Sequence, residues 1–238
     1  MITIVTALFD GNNFGIPHTT DVYDASWADK LYRGIKRNTS VPFELVCLVD
    51  KKYPFEEPIV PVGFYSGNNT VGGWSILLEM YRPDLSRDWR ITMGLDTIIT
   101  GNIDCYLEPD KDFAMVNDPM IKNEVCNAIT WCSPNSAQIV WDVWTREKQW
   151  VLENCRLPLQ EYKGGRVTWT PSEMVLLRTL FNTKNPVPVI DNIYKGIYSY
   201  KCHILKNPKL LESARIVYFH GSPKPHEIRD QELLKHWT

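Results

Sequence analysis

Several features are missing from this 238-residue chain, and each absence removes a class of protein. There is no Cys-x-x-Cys pair. The six cysteines (Cys47, Cys105, Cys126, Cys132, Cys155 and Cys202) are scattered, so neither a zinc ribbon nor a disulfide framework is expected. Cys47 and Cys126 lie in apolar runs and read as small buried hydrophobes. No segment approaches the roughly 18 consecutive apolar residues that cross a bilayer. No basic flank or cleavage site precedes the first strand-like run, so a cytoplasmic location is expected. Neither sign of charge dominates: a formal net charge of -2 gives no global pull towards nucleic acid or anionic lipid, although it leaves room for a local basic patch. Charged residues at 23% fit an ordinary folded chain rather than a disordered one. Without an internal repeat, low-complexity tract or composition break, one domain over 1–238 is expected. Aromatic residues, by contrast, are plentiful. Nine tryptophans and eleven tyrosines suit sugar or base stacking, and suit core packing equally well.

The hydrophobic periodicity predicts an α/β protein. Met1 to Leu8 reads as a buried strand, followed by a helix from Val22 to Asn38 whose apolar positions recur at helical spacing. Further strands are expected from Phe43 to Asp50 and from Pro58 to Val62. A Gly/Asn/Ser-rich loop over 63–73 leads into a buried helix from Trp74 to Tyr81. Strands are predicted at Trp89 to Leu95, Phe113 to Asp118 and Val125 to Trp131, then a single helix from Ser133 to about Asn154. A polar segment from Gln160 to Arg166 precedes a helix opened by Pro171-Ser172-Glu173 and running to Phe181. Val187 to Ile190, Tyr198 to Lys201 and Ala214 to Phe219 are expected to complete the sheet, with a last helix from His226 to His236. Crossover helices mixed with non-crossover strands imply a mixed sheet flanked by helices.

Two stretches combine a strand with chemistry at its tip. Arg90 to Leu95 delivers Asp96 and is followed by Thr97-Ile98-Ile99, an apolar surround in which an unpaired carboxylate is costly. Alone it reads first as a strand-end aspartate capping a turn. Near the other end, Arg215 to Phe219 delivers His220, then Gly221-Ser222-Pro223-Lys224-Pro225. One carboxylate and one imidazole suit a divalent cation completed by phosphate oxygens and water, while a lysine between prolines, beside the Gly221 and Ser222 amides, suits a phosphate. Open α/β sheets bind ligands at the C-terminal ends of their strands, where both stretches finish.

These residues resemble the GT-A fold nucleotide-sugar glycosyltransferases of the glycogenin and bacterial lipooligosaccharide galactosyltransferase type, especially a branch found in bacteria and phages. The resemblance runs over nearly the whole chain. It is carried by Ile4-Val5-Thr6-Ala7, Arg33 to Asn38, Phe43 to Asp50, Gly73-Trp74-Ser75, Leu95 to Asp104 and Ser199-Tyr200-Lys201. Its most specific part is Phe219-His220-Gly221-Ser222-Pro223-Lys224-Pro225-His226. It implies a single domain with a mixed central sheet, a UDP-sugar donor and Mn²⁺ or Mg²⁺. Thr6 and Ala7 would line the nucleoside pocket, with Asp50 near the base or ribose; Arg37, Trp74, Leu95 and Lys201 would also belong to the donor site. Asp96 and His220 would ligate the metal, while Gly221, Ser222 and Lys224 would contact the diphosphate. Asn127 would lie beside the sugar and acceptor, and Glu173 would stand where the family has a sugar-binding aspartate.

Three positions depart from the family pattern. Its Asp-Leu-Asp is Gly94-Leu95-Asp96 here, its Gly-Asp-Gln is replaced by Pro171-Ser172-Glu173, and a lysine after the Trp-Ser start is Ile76. Transfer with retention is the expectation. Inversion would need a base such as Glu173 or Asp118. The default acceptor is a glycan or lipid-linked precursor. The alternatives are hydroxymethylated pyrimidines in DNA, with Trp131, Trp141 and Trp144 available for stacking, and a non-catalytic nucleotide-sugar-binding relative.

Overall fold

The computed structural model describes residues 1–66, 72–160, 167–182 and 186–238. Parts of the expected loop over 63–73 and of the polar segment from Gln160 to Arg166 lie outside them. The chain opens with β1 (Ile2–Leu8), α1 (Ala25–Arg37), β2 (Phe43–Val49) and β3 (Val60–Gly63). A 3-10 run (Gly73–Tyr81) leads to β4 (Arg90–Met93) and β5 (Thr97–Ile99), and then to β6 (Phe113–Asn117) and β7 (Val125–Cys132). After α2 (Pro134–Arg146) and α3 (Lys148–Asn154) comes the hairpin β8 (Arg156–Gln160) and β9 (Val167–Pro171). The chain finishes with α4 (Glu173–Phe181), α5 (Ile190–Ile193), β10 (Ile197–Ser199), β11 (Ile216–Tyr218) and α6 (Gln231–Leu234).

The expected α/β architecture, a mixed central sheet flanked by helices, is what forms. Six strands lie in the order β3-β2-β1-β4-β7-β6. β3, β2, β1 and β4 are parallel, whereas β7 runs against both β4 and β6. Period-two alternation separates the two faces. Ile2, Ile4 and Leu8 pack towards Trp27, Leu31 and Ile35 of α1, while Val5 packs with Ile76, Leu78, Val140, Trp144 and Leu176 on the other side. α1 is amphipathic and capped by Asp24, whose carboxylate accepts from the Ser26 amide at 2.9 Å. A second sheet, β10-β11-β5, is joined to the first through the turn at Gly94-Leu95-Asp96. No helix among the described residues is long and apolar enough to cross a membrane.

Several local expectations are corrected. The run from Trp74 to Tyr81 is the buried helix expected, but of 3-10 type and starting at Gly73, and it is covered by the sheet and α2. The helix expected to reach Asn154 breaks at Glu147, which has non-helical angles (φ -118, ψ 29). No glycine or proline marks that break. Val187 to Ile190 is not a strand: a single bridge joins Val189 to Met115 before the chain turns into α5. β10 and β11 do not complete the central sheet but form the second one, and the C-terminal helix shrinks to α6 with a 3-10 turn at Pro225–Glu227. The β8-β9 hairpin was hidden because Pro158 and Pro171 argue against strands. A two-stranded ribbon consists only of edges, where proline is tolerated.

Two of the three tryptophans offered for stacking are core. Trp131 is fully buried on β7, its indole N–H donating to the Tyr106 carbonyl at 2.8 Å, and Trp144 is 1% exposed on α2. Trp144→Ala is expected to cost about 3–5 kcal/mol of unfolding free energy in urea titrations, whereas Trp150→Ala, on the exposed side of α3, should cost no more than about 0.5 kcal/mol.

Candidate active site

Strand direction decides which residues meet. β1 and β4 are parallel, so Thr6-Ala7 and Gly94-Leu95-Asp96 reach the same edge of the sheet. β7 runs the other way, with Met93 opposite Ile129, and its first residues therefore bring Asn127 to that edge. β11 lies antiparallel to β5 with Tyr218 opposite Thr97, and the Phe219 amide donates to the Asp96 carbonyl at 3.0 Å. His220 emerges there beside Asp96. A cavity of about 370 Å³ opens at this edge, lined by Thr6, Ala7, Tyr23, Trp74, Leu95, Asp96, Asn127, Glu173, His220 and Lys224 among others.

Asp96 carries the central charge. Its Oδ2 accepts the Lys224 ammonium in an ion pair, with both side chains less than one-fifth exposed, and also accepts the Tyr23 hydroxyl at 3.3 Å. The ammonium lies 5.6 Å from the Tyr23 ring centroid. Burial, followed by the Asp96 charge, pushes the Tyr23 phenol well above its ordinary range, so it remains a donor. Tyr23 was legible only as an apolar helix position; nothing local marked it for the site. The Lys224 loop is fixed by Glu227, whose Oε2 accepts the Lys224 amide at 2.6 Å and the Ser222 hydroxyl at 3.2 Å. The Ser222–Pro223 peptide is cis and Gly221 adopts φ 61, a left-handed angle that favours glycine.

His220 faces Ser199, with Nε2 2.8 Å from Oγ, and Cys202, with Sγ 3.8 Å away. Burial and then the Lys201 charge lower its pKa, so the imidazole is neutral at physiological pH. His18, whose pKa is lowered by burial and then by Lys224, packs edge-on to Trp74 at 6.0 Å. At the far wall, Glu173 opens α4 and is 6% exposed, with Oε1 accepting from Asn127 Nδ2 at 2.6 Å. Burial pushes its carboxyl up to about 7 despite that bond. Asp118 also lines the cavity, but its carboxylate is tied to Arg178 at 2.5 Å and accepts the Met120 and Ile121 amides. These bonds engage the lone pairs that a base would use. On the opposite wall the hydroxyls of Thr6 and Thr97 are buried without a hydrogen-bond partner among the described residues, a cost that a polar ligand in the cavity would relieve.

Not every expected donor residue reaches the cavity. α1 runs back across the sheet, placing Arg37 at the opposite edge, where its guanidinium donates to the His236 carbonyl at 2.7 Å. Asp50 ties β2 to the segment after β1, accepting from the Asp10 amide, Asn13 Nδ2 and the Tyr53 hydroxyl. Lys201 is exposed on the turn after β10, beside Gly221. Gly221 and Ser222 form the loop between His220 and Lys224 rather than the cavity wall.

A divalent cation held by Asp96 and His220 does not fit this arrangement. Lys224 already engages the Asp96 oxygen nearest Tyr23. Gly94 offers no carboxylate, and a Cβ there would meet Asp96 Oδ1 at 2.9 Å, so the aspartate folds back into the space that a side chain would use. Among the described residues no group of three or more His, Cys, Asp or Glu side chains is placed to share an ion, whereas hard cations gather about six oxygen ligands.

No protein-family model and no curated protein matches the sequence. The fold does have solved counterparts. The apo structure of the bifunctional glycosyltransferase WbbM superposes over 100% of this chain and 49% of its own length, at 12% identity and a TM-score of 0.62. The galactosyltransferase LgtC, in complex with donor and acceptor sugar analogues, superposes over 97% of this chain and 91% of its own, at 11% identity and a TM-score of 0.60. GlyE of Streptococcus pneumoniae TIGR4 gives 94% and 55%, at 12% identity and a TM-score of 0.54. The chain thus spans about half the length of WbbM and GlyE and nearly all of LgtC. The likeness establishes a GT-A-type fold.

Because folding raises the Glu173 pKa from 4.5 to about 7, the native state holds this proton more tightly than the unfolded chain. Its contribution is full below about pH 4.5 and is lost as the pH rises through 7. Glu173→Gln should therefore gain on the wild type by roughly 3 kcal/mol between pH 4.5 and pH 8, measured by urea unfolding across that range.

Proposed function

We propose that the chain is a glycosyltransferase that moves a sugar from a nucleotide-sugar donor, UDP-linked as the default, to a hydroxyl of a glycan or lipid-linked acceptor in the cytoplasm. The observation that carries this is the convergence of Asp96, His220 and Lys224 from two sheets onto one cavity bordered by Thr6, Ala7 and Trp74. The likeness to WbbM, LgtC and GlyE supports the same reading.

The transfer breaks the bond between the anomeric carbon and the diphosphate oxygen and forms a bond from that carbon to the acceptor oxygen. Negative charge develops on the departing diphosphate, and Lys224 stabilises it there. With retention, the acceptor proton passes to the leaving-group oxygen on the same face. Glu173, held by Asn127 on the far wall, positions the sugar through its hydroxyls; if the reaction inverts, its carboxylate takes the acceptor proton instead, which a pKa near 7 permits. Hydroxymethylated DNA draws no support from the aromatic residues. Trp131 and Trp144 are buried, and Trp141 packs on Tyr65 in a separate groove.

The test is release of nucleoside diphosphate from a panel of nucleotide sugars, with and without added glycan. Lys224→Met should lower turnover by about 10²–10³-fold while a thermal melt remains cooperative. Donor binding with no turnover in the wild type, even with acceptors present, would identify a non-catalytic binding relative instead.

A further inference from the structure

The charges around the Asp96 turn add up differently from a site built for a metal. Where two carboxylates converge, a divalent cation is needed before a diphosphate can approach. Here Gly94 removes one carboxylate and Lys224 neutralises the other. Asp118 is matched by Arg178, and Glu173 lies on the far wall with its carboxyl hydrogen-bonded to Asn127. Lys201 adds a second ammonium, 4.0 Å from where a Cβ on Gly221 would lie, and it has no ion-pair partner among the described residues. With Glu227 counted on the Lys224 loop, two ammonium groups balance two carboxylates, so the edge where His220 and Lys224 emerge holds no excess negative charge for an ion to offset.

We propose that this site holds the diphosphate of its donor on the ammonium groups of Lys224 and Lys201, without a divalent cation between Asp96 and the phosphates. This rests on the nucleotide-sugar reading given above. An ammonium has three donors and no acceptor, so Lys224 keeps one bond to Asp96 Oδ2 and turns the others to phosphate oxygens, bridging carboxylate and phosphate. Pro223 and Pro225 flank it, and its amide is fixed on Glu227, so the stem starts from a set position. Asp96 becomes a positioning residue for Lys224 rather than a ligand. Lys201 approaches the same loop from the other side, across Gly221, whose missing Cβ leaves the backbone open to the phosphates. His220, neutral and set against Ser199, contributes hydrogen bonding and no charge.

Calorimetric titration of the full chain with UDP, GDP, ADP and CDP, in EDTA and then in excess Mn²⁺ or Mg²⁺, tests this. The nucleoside diphosphate that binds should do so in EDTA within about tenfold of its affinity with metal, and Lys224→Met and Lys201→Met should each weaken it by about tenfold or more in EDTA. A loss greater than about tenfold in EDTA, restored by metal, overturns the proposal and leaves the nucleotide-sugar reading standing. Lysine variants that bind as the wild type does overturn the lysine assignment. If no nucleoside diphosphate binds under either condition, the functional reading fails and this proposal fails with it. The wild-type comparison decides the metal question even where a lysine variant does not fold.

Discussion

The site depends on one backbone contact, the hydrogen bond from the Phe219 amide to the Asp96 carbonyl where β11 meets β5. Residues distant in sequence are brought together there, and an antiparallel register leaves little freedom in how they meet, because a one-residue slip would turn every side chain to the opposite face. With Tyr218 opposite Thr97, His220 and the Lys224 loop are delivered to the carboxylate end of the Gly94 turn. The helices and the central sheet matter to chemistry chiefly by holding β4 and β5 in place for that pairing. α1 packs on β5, its Gly34 close enough to Ile99 that a Cβ would stand 3.5 Å from the isoleucine side chain.

Electrostatics follows from this geometry. A carboxylate with Tyr23, Leu95 and Phe219 around it would be expensive without a partner, and the cation supplied arrives on the C-terminal loop rather than from solvent. The net worth of such a partly buried pair is modest, since desolvating both ions offsets much of their attraction. Its larger consequence is positional: one oxygen of Asp96 is directed at Lys224 and the other is left against the empty side of Gly94. Glu173 experiences the converse. Its partners are the neutral Asn127 and Ser172 side chains and backbone amides, with no cation among them, so burial dominates and its carboxyl is pushed up to about 7.

The sequence revealed the ends of this arrangement more clearly than its middle. Apolar β-branched runs such as Ile2–Leu8 and Phe43–Val49 identify buried parallel strands because both faces are covered, and Asp96 and His220 stand out as polar groups at the tips of such runs. The β8-β9 hairpin was illegible because prolines broke its pattern, and α5 because Val187 to Ile190 is short enough to be either strand or helix. Tyr23 and Arg178 were missed for another reason. Tyr23 reads as an apolar helix position but lies just before α1, and Arg178 sits in α4 where helical spacing explains it; only tertiary packing brings their polar tips to Asp96 and Asp118. Arg37 and Asp50 err the other way: both lie in stretches that resemble donor-binding segments, yet the direction of α1 and the turn at Asp10 direct their side chains to structural partners.

Gly94 links the legible part to the rest. As a sequence feature it marks a missing carboxylate, which by itself says only that a metal would be held less well. In three dimensions its absent Cβ is the space that Asp96 Oδ1 approaches, so the loss of one acid and the orientation of the other are a single structural event. A side chain there would press on Asp96 Oδ1, and the carboxylate would have to turn to make room. The residue without a carboxylate is thus the one that Asp96 Oδ1 folds against while Oδ2 pairs with lysine, and that pair leaves an ammonium at the cavity wall, where the diphosphate of the proposed donor would lie.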